Sequence, residues 1–164
     1  MDKHLTVARL VAWLVPAVAL LLVGCGGGKG DITGEVTYNG VPVSVGRITF
    51  LSQVDKQEVK SAHIIRGKYS IAGFPAGPVK ITVESFEPPD PEILKNTKSL
   101  AKVKPAGGMQ EHMPGPPPEL LEMADGPPLK YVPIPRTYSN PETSGLTYEV
   151  KRGSQTFNIP LAPK

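Results

Sequence analysis

Asp31-Ile32-Thr33-Gly34-Glu35-Val36-Thr37-Tyr38, followed by Asn39-Gly40 and then Val41-Pro42-Val43, is the stretch that decides the fold class. Ile32, Gly34, Val36 and Tyr38 fall on one side of a two-residue repeat, and Thr33, Glu35 and Thr37 on the other. That is the period of a half-buried strand, and Asn-Gly supplies the positive-φ pair of a tight hairpin turn. The signal recurs downstream. Residues 47–52 turn Ile48 and Phe50 inward, and 60–66 set Ala62 and Ile64 against His63 and Ile65. Gly67-Lys68 turns the chain into Tyr69 and Ile71. After Gly73-Phe74-Pro75-Ala76-Gly77, Val79, Ile81 and Val83 alternate with Lys80, Thr82 and Glu84. Leu146, Tyr148 and Val150, then Phe157, Ile159 and Leu161, repeat the pattern around Arg152-Gly153-Ser154 as a C-terminal hairpin. Seven short strands at near-regular spacing predict an all-β domain, a β-sandwich or barrel.

The rhythm breaks between Glu87 and Pro135, which hold twelve of the nineteen prolines. Such density forbids a sheet interior, so residues 87–130 read as a proline-rich insertion, a solvated excursion from the core. Two short helices are expected in it. Asp90-Pro91-Glu92 has the form of an N-cap, an N1 proline and an acidic first turn, and Ile93, Leu94, Thr97, Leu100 and Ala101 follow at helical spacing. Residues 118–124 predict a second, shorter helix. Lys95, Lys98, Lys102 and Lys104 precede Glu111, Glu119, Glu122 and Asp125, a segregation of charge that suits local self-attraction. The fold does not need this insertion, which makes it the expected contact surface for a partner.

Upstream of the first strand, Lys3, His4 and Arg9 against Asp2 make a weakly positive start. The 14 uncharged residues from Leu10 to Val23 come next. That run has signal-peptide length and is short of the roughly 20 residues of a spanning helix, with Pro16 in its middle. Leu22-Val23-Gly24-Cys25 closes it with the arrangement of a bacterial lipobox: an apolar residue, a β-branched one, a small one, then cysteine. Residues 1–24 are therefore expected to be a cleaved leader, Cys25 the lipidation site, and 26–30 a glycine-rich tether. Ordinary secretory cleavage is the alternative, although Val23 is not the small residue an A-x-A site requires. Acyl chains on Cys25 would hold the protein to a membrane stably, since two or more chains suffice. Gly26 after the cysteine is not aspartate, which by analogy with enteric sorting favours the outer membrane.

Composition bounds the rest. The leader carries Lys3 and Arg9 against Asp2, so its removal lowers the formal charge of +3 by one. Lysine and arginine are spread without an aromatic-interleaved basic stripe, which argues against nucleic acid as a partner. Residues 31–164 suffice for one domain with a real core. Chemistry is hard to find. His63 and His112, the two histidines outside the leader, lack zinc-site spacing. No G-x-S-x-G elbow occurs. Glu87, Asp90 and Glu92 are close in sequence, but Pro91 splays them and no calcium-loop pattern surrounds them. No catalytic, metal or cofactor residues are assigned. Tyr38, Phe50, Tyr69, Phe74, Tyr138, Tyr148 and Phe157 read as core or corner residues. Arg136, Tyr138 and Asn140 stand out as a structural corner that closes the insertion back onto the body.

The order of these features resembles a known family. The lipobox is followed by Gly34-Glu35-Val36-Thr37-Tyr38-Asn39-Gly40-Val41-Pro42-Val43, Gly46-Arg47-Ile48-Thr49-Phe50, Gly67-Lys68-Tyr69-Ser70-Ile71 and Gly73-Phe74-Pro75-Ala76-Gly77. Tyr138-Ser139-Asn140-Pro141 and Ser144-Gly145-Leu146-Thr147 close the series. This is similar to the small lipoproteins of planctomycete bacteria, whose body is similar to the carboxypeptidase regulatory-like, transthyretin-like domain. The resemblance implies a seven-stranded Ig-like or prealbumin-like β-sandwich displayed at the cell envelope. It implies no activity, because the regulatory-like domain is an accessory module without the zinc site. The expectation is a non-enzymatic, membrane-anchored module with a structural or protein-interaction role. The rival is a carbohydrate- or ligand-binding accessory of an envelope enzyme system, so an envelope protein or a polysaccharide is the expected partner.

Overall fold

A computed structural model describes residues 28–54, 58–102 and 116–163. The expected leader, Cys25, Gly26, Gly27, His4 and His112 lie outside the described residues. Strands β1 (Lys29–Tyr38), β2 (Val41–Pro42), β3 (Val45–Ser52), β4 (Val59–Ile65), β5 (Lys68–Pro75) and β6 (Gly77–Ser85) come first. Helices α1 (Pro91–Lys102) and α2 (Pro118–Ala124) and a 3-10 turn (Arg136–Ser139) follow. The chain then finishes with β7 (Leu146–Val150), β8 (Gly153–Thr156) and β9 (Ile159–Leu161). The protein is mostly β, with a curled antiparallel sheet of seven strands in the order β2-β1-β5-β4-β3-β6-β7. Lys29 and Gly30 belong to β1, and the Ala76 N–H already donates to the Gly28 carbonyl at 2.8 Å. The tether expected over 26–30 is shortened accordingly.

Local chemistry accounts for the hairpins. Asn39 and Gly40 (φ 51° and 78°) join β1 to β2, and Arg66 and Gly67 (φ 53° and 83°) join β4 to β5, each pair taking the positive-φ geometry that matches strand twist. Alternation places Ile32, Val36, Ile48, Phe50, Ile64 and Ile81 in the core at 0 % exposure. Phe50 sits at its centre, with the rings of Tyr69 and Phe74 tilted against it at 6.1 and 5.9 Å.

Two features depart from the simple meander. The C-terminal strands do not form a hairpin with each other. β7 pairs with β6, whereas β8 and β9 run parallel to β1, Gly30–Thr33 against Gly153–Thr156 and Val36–Tyr38 against Ile159–Leu161. The turn after Val150 thus carries the chain from one edge of the sheet to the other. There Tyr148 stacks on Phe157 at 4.0 Å, and the Gln155 side-chain carbonyl accepts both the Tyr148 hydroxyl and the Lys151 N–H. The second departure is the ladder between β4 and β5, which consists of the single pair Ile65–Lys68 beside their turn. Further along, the Lys60 ammonium donates to the Ala72 and Gly73 carbonyls at 3.0 and 2.9 Å, which satisfies acceptors that an adjoining strand would otherwise meet.

The described parts of the insertion, residues 87–102 and 116–130, are more firmly attached than a solvated excursion. Asp90 Oδ1 accepts the Glu92 N–H at 2.8 Å, the N-cap contact that the Asp-Pro-Glu signature predicts. Ile93 faces out, while Leu94 and the buried Thr97 face in. Met123 of α2 is buried against Val45 and Ile65 on the outer side of the sheet, with Leu94, Leu120 and Leu129 around them. A second, smaller core therefore seats the helices on the strands. Arg66 fastens α2 further, donating through its two terminal nitrogens to the Pro127 and Met123 carbonyls at 2.9 and 3.2 Å.

Candidate functional site

The insertion rejoins the body at the end of β6, and this junction collects the residues singled out in sequence. Tyr138 is buried on the 3-10 turn, its hydroxyl donating to the Ala162 carbonyl at 2.8 Å and accepting the Ala162 N–H at 3.3 Å. Asn140 closes the following turn. Its Oδ1 accepts the Glu142 N–H at 2.8 Å, and its backbone carbonyl accepts the N–H groups of Thr143 and Ser144 at 3.1 and 2.8 Å. Tyr138 and Asn140 thus act as structural groups.

Arg136 is placed differently. Its carbonyl accepts the Ser139 hydroxyl at 2.8 Å, but its side chain is exposed and lines a cleft of about 310 Å³. Ser85 builds one wall, its hydroxyl accepting the Ile134 N–H at 3.3 Å, and Phe86 is fixed next to it by an N–H bond to the Val45 carbonyl at 2.9 Å. Phe86 and Tyr131 both line the cleft, at 37 % and 46 % exposure. The Arg47 guanidinium lies 5.5 Å above the Phe86 ring, a cation–π contact that restrains it. Glu84 completes the polar lining. Among the described residues, neither the Glu84 carboxylate nor the Arg136 guanidinium takes a side-chain hydrogen bond or ion pair. Phe86 and Tyr131 were not among the aromatics the sequence marked. Phe86 falls off the alternation of β6, and Tyr131 sits in an extended, proline-rich run without a period.

Two further depressions lie elsewhere on the described surface. One, of about 600 Å³, lies where β4 and β5 part beside α2 and includes His63, Lys68, Glu119 and Glu122. The exposed His63 is a strand residue there. The other, of about 300 Å³, runs between α1 and α2 and is largely proline and leucine. Its lysines are already engaged, Lys95 with Glu92 at 3.0 Å and Lys98 with Asp125 at 2.8 Å. Asp90 and Glu92, weighed above as calcium ligands, serve the cap and an ion pair of α1. Among the described residues no three His, Cys, Asp or Glu side chains come together as a metal cluster, and no helix is long and apolar enough to cross a membrane.

Elsewhere two groups are electrostatically perturbed. The Lys80 ammonium donates to Glu142 at 2.8 Å and, by that bond and its charge, holds the carboxyl below its usual value. Burial, reinforced by Tyr148, pushes the Tyr69 phenol upward. Tyr69 borders the same depression as His63, but its hydroxyl is engaged by the Phe157 carbonyl at 2.7 Å, and Glu142 is exposed; both groups read as structural. No protein-family model, no curated protein and no solved structure matches this chain.

Proposed function

We propose that the chain is a non-enzymatic, lipid-anchored β module of the cell envelope. Its body is of the carboxypeptidase regulatory-like, transthyretin-like sandwich kind, and its role is structural or one of protein interaction. The observation that carries this reading is the start of β1 at Lys29, four residues after Cys25. A chain reaches at most about 3.5 Å per residue, so an acylated Cys25 would keep β1 within roughly 14 Å of its anchor point. The lipobox would then present the body directly at the membrane surface, facing the periplasm or the exterior, with the outer membrane favoured.

The single β4–β5 pair supports the sandwich reading. It divides the curled sheet into β4-β3-β6-β7 and β5-β1 with its parallel partners, with the main core between them. Polar groups engaged in architecture support the non-catalytic reading: Asp90 caps, Lys60 closes a strand edge, and Arg66 clamps α2. Most aromatics lie in the core, which weighs toward a structural role, but Phe86 and Tyr131 favour the carbohydrate-binding alternative.

Intact-mass analysis of the membrane fraction, wild type against Cys25→Ala, tests the anchor. The expected mass is that of a chain beginning at Cys25 plus acyl groups, lost in the variant together with membrane retention. An unmodified thiol on a soluble, cleaved chain would overturn the anchoring.

A further inference from the structure

The geometry points to a saccharide-binding site in the cleft between the end of β6 and residues 131–139, with a neutral, hydroxyl-rich sugar chain as its ligand. The inference names the partner of the module proposed above. It rests on the carbohydrate-binding alternative that Phe86 and Tyr131 favour and is independent of the lipid anchor.

Three observations converge. Phe86 and Tyr131 line one concavity while remaining more than a third exposed. Although Arg47 lies over one face of the Phe86 ring, apolar ring surface still meets solvent where a pyranose ring could cover it. Arg136 and Glu84 bring a guanidinium and a carboxylate without a side-chain partner among the described residues to the same lining. A guanidinium only donates and a carboxylate only accepts, whereas a sugar hydroxyl does both, so vicinal hydroxyls satisfy the two groups together. Ser85 and Ser139 each use one direction of hydrogen bonding in the wall and keep the other: Ser85 accepts from Ile134 and can still donate, and Ser139 donates to Arg136 and can still accept. The mixture of charges sets the class of sugar. Within the lining a uronate would meet Glu84 and an amino sugar would meet Arg136, so a neutral chain is the consistent ligand.

The other two depressions lack this combination. Between the helices the lysines are neutralised by Glu92 and Asp125, and beside β4 the Arg66 terminal nitrogens are committed to carbonyls. Their lining includes no aromatic with the exposure of Tyr131. The proposed cleft also sits on rigid support, since Tyr138 pins the 3-10 turn and Phe86 is bonded to β3.

The test is saturation-transfer NMR and titration calorimetry on the purified full-length mature protein, in detergent if it proves lipidated. The probes are gluco-, manno-, galacto- and xylo-hexasaccharides, with hexagalacturonate as the charged comparison. Binding of at least one neutral hexasaccharide is expected. Phe86→Ala, Tyr131→Ala and Arg136→Gln should each weaken it about tenfold or more, at unchanged melting temperature for Tyr131→Ala and Arg136→Gln. Tyr131→Phe, which keeps the ring, should bind within about threefold of wild type. Binding to none of the neutral probes, to hexagalacturonate alone, or with affinity indifferent to the three disruptive variants would overturn the site. Shortening of the oligosaccharides during the titration would instead sink the non-enzymatic reading while leaving the site in place. The mass experiment judges the anchor separately.

Discussion

Tyr138 and Ala162 are joined twice, the phenol donating to the Ala162 carbonyl at 2.8 Å and accepting its N–H at 3.3 Å. One side chain from the returning insertion therefore pins the residue directly after β9, while its ring is buried in the main core. The two contributions separate by substitution. Tyr138→Phe keeps the ring and frees an exposed backbone pair that water can reach, so it should cost about 1 kcal/mol. Tyr138→Ala also removes the buried ring and should cost about 3–4 kcal/mol. Urea unfolding of both variants checks this, and equal midpoints for Tyr138→Ala and wild type would refute the corner's role.

Among the described glycines, Gly34 has the closest neighbouring backbone. A Cβ there would run into the Phe157 carbonyl oxygen, come within 2.7 Å of its carbon, and meet the Tyr69 ring at 3.0 Å. The obstacle is backbone on the segment between β8 and β9, so it cannot swing aside. Gly34→Ala should therefore lie at the upper end of overpacking costs, about 3 kcal/mol, and lower the melting temperature by about 10 °C. A thermal scan decides it. A shift of only a degree or two would mean that the 157–158 link relaxes freely.

Arg66 has two opposed roles. It occupies a positive-φ turn position that suits glycine better, and it holds α2 by the Met123 and Pro127 carbonyls. Arg66→Gly relieves the backbone while deleting the clamp. Global stability should change by less than about 1 kcal/mol, because the two effects oppose each other. Amide exchange over 121–125 should accelerate, measured by hydrogen–deuterium exchange. Unaltered protection there would show that Met123 seats the helix without help.

These residues also mark what the sequence discloses. Alternation around Asn39-Gly40 revealed the strands, because a period of two is local, and Asp90-Pro91-Glu92 revealed α1 by the same locality. Strand partnership is not local. Nothing in Gly153-Ser154-Gln155-Thr156 says that it will run parallel to β1 instead of antiparallel to β7, since the partner is fixed by residues far away in sequence. Arg66 read as the end of a strand because its function depends on carbonyls nearly sixty residues away. Arg136 read as a corner residue through its neighbours Tyr138 and Asn140, yet its side chain leaves the corner for the cleft. Phe86 and Tyr131, lacking any period, became legible only when the fold brought them together.

Tyr69 offers a test on the alkaline side. Its hydroxyl donates to the Phe157 carbonyl at 2.7 Å, and burial raises its ionisation above the usual 10.0. The folded chain thus keeps this proton more tightly than the unfolded chain does. Its contribution is fully present below pH 10 and is lost as the pH climbs toward the raised folded value. Tyr69→Phe removes the titrating group and leaves the carbonyl without its donor, so it should be about 1 kcal/mol less stable at neutral pH. Because lysines common to both proteins also titrate there, the informative quantity is the difference between the two stability curves. That difference should shrink steadily above pH 10, as wild type loses what the variant never had. Urea midpoints from pH 7 to 11.5 measure it, and a constant difference would mean that Tyr69 ionises as an ordinary exposed phenol.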